Sequence, residues 1–475
     1  MSRNRPGIVA AAGTCSVSHK RRVRLPQFGS LLLAAAMVSG CASPVFRTID
    51  LMPAPAVFAG GAVDPFLKDP PPVNFGDFGL LYATDRKPAP DPGARPFYTN
   101  QPGFLVRLGS ARVEAGQPGL NWDQVRRISL SERRSGHYPL KIRSVEETGV
   151  VESTRSLLAR EPEDVETSAG EDEDFAARVD ARLAATDVKD VFIYVHGFRV
   201  AFDEPVLVAA EFWHFLGYRG VFIAYAWPST QRMTAYLSDL ETAKAMARNF
   251  RLFLTYLREN TQVERIHIIA YSAGSRLVVR ALEQLAMLNA DAGDEALRKE
   301  PGIGNVIIVG GDISLKEFAS AATDGMLRVP ERTIVYLSSS DRALIWSRRL
   351  FRRKRLGEMW VETLPDQARI FLRTYPSLEL VDVTDAAGST TGNGHAYFRD
   401  SPWVSSDILT VLARDPGPDR RGLERTPDRL VWHFPPDYIE RLQRALLEMK
   451  PPVGAKGGTG EGPPAREASA PPRVD

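Results

Sequence analysis

Between positions 189 and 415 the chain alternates two rhythms. Short apolar runs at Val191–Val195, Val221–Ala226, Ile266–Ala270, Asn305–Val309, Thr333–Leu337 and Leu378–Val383 are separated by stretches of helical period such as Leu207–Leu216 and Leu237–Leu257. A run with no polar alternation is a strand buried on both faces, and strands bounded by helices on either side belong to a parallel, doubly covered sheet. The fold class is therefore α/β. In such a sheet ligands bind beyond the carboxyl ends of the strands, so residues just after these runs are the candidates for chemistry. Upstream, 76–151 carries shorter strand-like runs, Gly79–Ala83, Phe104–Leu108, Arg127–Leu130 and Leu140–Val145, broken by Pro and Gly. They predict an N-terminal strand extension. The acidic segment 161–174, EPEDVETSAGEDED, reads as a solvated loop. One domain over 76–449 accommodates this pattern, with 76–188 as strands and acidic loop and 189–415 as the catalytic core.

Composition alters the picture mainly at the ends. At 475 residues, 44% hydrophobic and 25% charged, the chain can bury a large core. Six of its basic residues lie in the first 40 positions with no acid among them, followed by the apolar run 31–38 and Val-Ser-Gly-Cys at 38–41. That order is a secretory leader, too short in its apolar part to span a membrane. The stretch resembles a bacterial lipoprotein signal. The resemblance implies cleavage after residue 40, lipid on Cys41, attachment to a membrane through that lipid and, with Ala42 next, the periplasmic side of the outer membrane in a bacterial envelope. Cys15 and Cys41 are the only cysteines, so the chain without its leader has no thiol nucleophile and no disulfide. It keeps 54 basic against 58 acidic residues, about −4 in all, and nothing in that balance predicts nucleic-acid binding. The Pro-rich stretch 41–75 predicts a semi-rigid tether, and 450–475, rich in Pro, Gly and Ala, predicts a disordered tail.

The most informative stretch is 264–285, ERIHIIAYSAGSRLVVRALEQL, where the apolar run breaks at Ser272 and continues as a helix through Leu277, Val278 and Leu282. A Ser on a strand-to-helix turn is pushed outward on a strained backbone, and the turn closes only over small neighbours, here Ala270 and Gly274. A Ser hydroxyl attacks a carbonyl only when a His takes its proton, and that His needs a carboxylate to orient it. Of the seven His, His19 lies in the leader, His137 among the N-terminal strands, His214 within a helix, His267 inside an apolar strand and His196 in a His-Gly-Phe turn. His433, between Trp432 and Phe434, predicts a packed ring. His395, in the Gly-rich loop GSTTGNGHAYF just after a strand, is the candidate base. Two carboxylates follow strands between Ser272 and His395: Asp341, in LSSSDRAL, and Asp312, one strand earlier, as the alternative acid. The amide after the nucleophile, Ala273, and that of Phe198 in His196-Gly197-Phe198-Arg199 would face the oxyanion.

Together these loops make a pattern that resembles the α/β-hydrolase superfamily. More narrowly, 190–400 is similar to an uncharacterised esterase/lipase-like family of bacterial envelope proteins, through HGFRVAFDEPVL, AWPS with Tyr236 and Asp239, AYSAGSRLV, YLSSSDRAL and GNGHAYF, with LLYATDR at 80–86 as the opening strand. This chain has Arg199, Tyr271, Ala273 and Gly311 where that family commonly has Asn, His, Met and Pro. The resemblance implies a serine esterase working through an acyl-enzyme on an acyl ester. No metal-binding His-Glu-x-x-His, phosphate loop or dinucleotide fingerprint occurs, so neither metal nor cofactor is expected. Two other functions use the same residues or fold: acyl transfer to an acceptor other than water, and a non-catalytic envelope module that retains the hydrolase fold for binding. A last feature is the basic run SRRLFRRKRLGEMW at 347–360, suited to a solvated helix face or an anionic surface.

Overall fold

The computed structural model describes residues 48–449 apart from 67–70, 72–73, 75, 77–78, 92–95, 117–118, 135, 160–172, 359–365 and 426–429. The expected leader, Cys41, most of the acidic loop and the C-terminal tail lie outside the described residues. The strands are β1 (Ile49–Asp50), β2 (Leu80–Pro88), β3 (Tyr98–Ala115), β4 (Pro139–Val151), β5 (Asp190–Val195), β6 (Val221–Tyr225), β7 (Arg265–Tyr271), β8 (Ile303–Val309), β9 (Arg332–Leu337), β10 (Leu378–Asp382) and β11 (Trp432–His433). They form one sheet in the order β1-β4-β3-β2-β6-β5-β7-β8-β9-β10-β11. From β2 to β11 neighbours run parallel, whereas β1, β4, β3 and β2 pair antiparallel. The six apolar runs of the core are thus β5 to β10, and the extension is joined through β2.

Helices follow as α1 (Trp122–Leu130), α2 (Glu173–Ala184), α3 (Asp203–Phe215), α4 (Tyr236–Ala245), α5 (Ala247–Asn260), α6 (Gly274–Leu288), α7 (Asp294–Lys299), α8 (Leu315–Thr323), α9 (Arg342–Phe351), α10 (Asp366–Thr374), α11 (Tyr397–Asp400), α12 (Pro402–Arg414) and α13 (Tyr438–Glu448). They divide between the two faces. Alternate β5 residues go opposite ways: Val191, Ile193 and Val195 pack with α2, α4, α5 and α6, while Phe192 and Tyr194 pack with α3, α12 and α13. Because both sides of the pleat are buried, a strand such as β8 is apolar almost throughout. No helix among the described residues is long and apolar enough to cross a membrane.

Three expectations differ from the structure. The expected tether folds onto the body from residue 48: β1 pairs with β4, and Met52, Val57, Phe58 and Phe66 are buried on the α3 and α12 side. The Met52 amide donates to Glu211 Oε2 at 3.1 Å and the Val57 amide to Ser406 Oγ at 3.0 Å. Pro spacing removes periodicity without removing apolar surface, and that surface is what docks. Arg127–Leu130 is helical, not a strand, because Asn121 and Gln124 close a capping box ahead of Trp122. The stretch Leu237–Leu257 is two helices, interrupted at Met246.

Candidate active site

Ser272 stands between β7 and α6 with φ 51°, a left-handed conformation that a residue with a Cβ adopts only at a cost. Its neighbours on the backbone leave no alternative. The Ser272 amide donates to Val309 O at 2.9 Å, and its carbonyl accepts from the amides of Ser275 at 3.1 Å and Asp312 at 3.2 Å. Two glycines permit the close approach of the loops. A Cβ on Gly274 would lie 2.4 Å from His196 O, and one on Gly197 would lie 2.8 Å from Ser272 Cβ. The glycine two residues after Ser272 is therefore fixed by contact with the loop after β5.

Two further loops meet this turn. His395 Nε2 lies 2.8 Å from Ser272 Oγ, and His395 Nδ1 lies 2.6 Å from Asp341 Oδ2. Asp341 is fully buried. With Nδ1 turned to the carboxylate, Nε2 is left as the acceptor for the Ser272 hydroxyl. The other Asp341 oxygen accepts the Leu344 amide at 3.0 Å and caps α9, so one side chain starts a helix and holds an imidazole. The histidine loop is fastened to the acid loop: the Arg342 amide donates to Asn393 O at 3.1 Å, and the His395 amide donates to Asn393 Oδ1 at 3.1 Å. The ring rests against Tyr271 at 5.0 Å between centroids, above Gly310, where a Cβ would come within 3.0 Å of His395 Cε1.

Asp312, the alternative acid, does not take that place. One of its oxygens accepts from Ser347 Oγ at 2.7 Å with the Arg355 guanidinium 3.2 Å away, and the other accepts from the Tyr236 hydroxyl. Burial and this neighbouring carboxylate push the Tyr236 phenol above its ordinary value. Asp312 therefore braces the wall beside Ser272, and Arg276 Nε reinforces it by donating to Asp312 O at 2.6 Å.

The loop after β5 is held by groups whose roles the sequence did not reveal. Arg199 has φ 66°, and its amide donates to Ser229 Oγ at 2.8 Å. Ser229 in turn donates to Asp239, which also accepts the Thr230 amide at 2.6 Å. The amides of Phe198 and Ala273 enter none of the turn, loop or side-chain hydrogen bonds among the described residues. Buried Arg86 donates to Val200 O at 2.8 Å and to Ala226 O at 3.3 Å from the opposite side. The His196 ring stacks on Trp227 at 5.0 Å and 6°, and burial and Arg86 keep it neutral. His433 is only half buried, 3.8 Å from Glu424, rather than packed as expected. The sole sequence clue to Arg86 was an arginine closing a buried strand. Nothing local distinguished Ser229 or Asp239.

Ser272 and His395 open into a cavity of about 350 Å³, lined also by Phe198, Arg199, Met233, Arg342 and Trp346. No group of three or more His, Cys, Asp or Glu able to hold a metal ion occurs among the described residues.

A family described as "alpha/beta hydrolase of unknown function (DUF900)" matches residues 171–413, from α2 to α12. The chain is also similar to the uncharacterised protein alr1448 of Nostoc sp. (strain PCC 7120), with 25% identity over 261 residues, which is 48% of this chain. It spans 65% of the length of that curated relative. The matched segment carries the elbow, the acid loop and the histidine loop, and with the doubly covered sheet it places the chain in this α/β-hydrolase family of unknown function.

Proposed function

We propose that the protein is a serine hydrolase that cleaves carboxylic esters through an acyl-enzyme. The observation that carries the reading is the unbroken line Ser272 Oγ, His395 Nε2, His395 Nδ1, Asp341 Oδ2, with contacts of 2.8 and 2.6 Å, ending at a strained serine on a cavity wall. As Ser272 Oγ bonds to the acyl carbon, its proton passes to His395 Nε2. The carbonyl electrons move onto oxygen, which faces the uncommitted amides of Phe198 and Ala273. Collapse of that tetrahedral species expels the alkoxide, which takes the proton back from His395. Water then attacks the acyl-enzyme by the same route, and Ser272 is regenerated. Each oxyanion donor is worth roughly 10²–10³ in rate, which is why the freedom of these two amides matters. Asp341 holds the imidazole in the required tautomer and balances the imidazolium formed in each half-reaction.

Attachment through lipid on Cys41, on the periplasmic side of the outer membrane, is part of the same proposal. It rests on the leader and the Val-Ser-Gly-Cys motif.

A fluorophosphonate, which bonds to an activated serine, tests the enzymatic reading. Wild type is expected to label at Ser272, with labelling abolished in Ser272→Ala and slowed in His395→Ala. A folded wild-type protein that does not label would overturn it.

A further inference from the structure

The cavity combines an apolar wall with two cations that nothing in the protein neutralises. Phe198, Met233 and Trp346 line it, and so do Arg199 and Arg342, both exposed and neither in an ion pair or side-chain hydrogen bond among the described residues. That is unusual in this molecule, where Arg86, Arg265, Arg276, Arg332, Arg399 and Arg421 are all engaged by acceptors. The carboxylate in the wall, Asp312, is already matched by Arg355, and Asp341 by His395. No anionic group of the protein is left for the two arginines.

Both are anchored at the root. Five non-glycine residues adopt positive φ among those described, and two of them, Ser272 and Arg199, line this one cavity. The Arg199 amide is fixed by Ser229 and Asp239, and the Arg342 amide by Asn393, so each guanidinium projects from a backbone held in place by the loops of the site. Backbone strain maintained beside a reacting group is a mark of function. Outside the mouth, the exposed face of α9 carries Arg342, Trp346, Arg349, Leu350 and Arg353 at successive turns, and the nearby Glu358 is buried against Arg348. The approach to the cavity therefore carries a positive field that narrows onto Arg199 and Arg342.

We infer, on the reading of the site as a serine hydrolase, that its substrate is a carboxylic ester bearing an anionic group, a carboxylate or a phosphate, away from the scissile bond. Arg199 and Arg342 hold that group, since planar guanidinium forks match either anion in two-point geometry. The apolar wall takes the hydrocarbon part. The anion belongs either to a soluble ester or to a lipid head group.

The test compares two aryl esters of equal chain length, a hexanoate and an adipate half-ester ending in carboxylate, hydrolysed by the full chain in neutral detergent. At low salt kcat/KM for the anionic ester is expected to exceed that for the neutral one at least tenfold, and the ratio should shrink at 0.5 M salt. In the double variant Arg199→Gln, Arg342→Gln the ratio should fall to near one, chiefly through KM, with circular dichroism confirming the fold. Arg342→Glu should invert the preference toward an ester ending in ammonium. A parallel arm offers phosphatidylglycerol in vesicles. Preference among monomeric esters identifies a soluble substrate, and hydrolysis confined to the vesicles identifies the head group. Equal rates on both esters, unchanged in the double variant, with no vesicle hydrolysis by a protein that labels with fluorophosphonate, would overturn the inference and leave the hydrolase intact. Absence of labelling would instead overturn the hydrolase reading itself.

Discussion

The two ends of the parallel sheet use polar side chains in opposite ways. At the amino ends of the strands, Asp190 on β5, Arg265 on β7, Asn305 on β8, Arg332 on β9 and Glu379 on β10 are linked into a belt with Asp415 and Arg421. Arg265 reaches Asp190 and Asp415, each at 2.9 Å, and Arg332 reaches Asn305 at 3.0 Å. Arg421, fully buried, spans Glu379 at 2.9 Å and Asp407 at 3.0 Å. Charge there meets charge inside the protein. At the carboxyl ends the hydrogen-bond line from Asp341 through His395 stops at a hydroxyl that borders a cavity, two amides nearby donate to nothing, and two arginines have no acid. One end is closed on itself and the other is left incomplete for a ligand to finish. The difference teaches where to expect stability and where to expect chemistry, and substitutions that confuse the two are the informative ones.

The largest effect belongs to Asp341→Asn. An amide still accepts the Leu344 N–H and keeps the cap on α9, but it favours the wrong imidazole tautomer, so kcat should fall on the order of 10⁴ with little change in melting. Ester hydrolysis followed beside thermal unfolding checks both halves. At the closed end, Arg421→Met leaves Glu379 and Asp407 buried without their cation. A loss of about 3–5 kcal/mol in denaturant unfolding is expected, with the activity of the remaining folded protein unaltered. Asp85, on β2 beside Tyr225, sharpens the contrast because burial pushes its carboxyl up to about 7. Its folded value lies above its unfolded one, so the native state holds the proton longer. The stability this confers is complete below about pH 4 and is lost as pH rises through about 7. Asp85→Asn should therefore be more stable than wild type at pH 8, on the order of a few kcal/mol, and lose that advantage near pH 4, as chemical denaturation at the two values will read. The smallest effect is expected from Asp312→Asn. Since Asp312 braces Tyr236, Ser347 and Arg355 rather than His395, hydrolysis should fall less than about tenfold. A loss as large as that of Asp341→Asn would return Asp312 to the role of acid.

Much of this architecture was legible in the chain because burial on both sides of a strand leaves an uninterrupted apolar signature. β5 to β10 are visible for that reason, and the small residues around Ser272 mark the turn after β7. Choosing between Asp312 and Asp341 lay beyond sequence, since both follow strands and only side-chain direction separates them. The belt at the amino ends was invisible for a related reason: Asp190, Arg332 and Asp415 are far apart in the chain, and isolated charges read as solvated. Arg86, Ser229 and Asp239 reach the loop after β5 from separate elements, and no local pattern announces them. Residues 48–66 mislead in the other direction, their prolines suggesting an extended tether while Met52, Val57, Phe58 and Phe66 supply an anchoring face.

The division of the Asp341 carboxylate has a consequence for how this surface can change over generations. One oxygen fixes the start of α9 and the other fixes the imidazole, so the helix cannot be reseated, shortened at its first turn or reregistered without moving the base. Variation on the outer face of α9 is free to alter what the protein meets, provided that the first turn stays where it is. The same atom pair thus insulates the reaction from drift in the surface that selects its substrates.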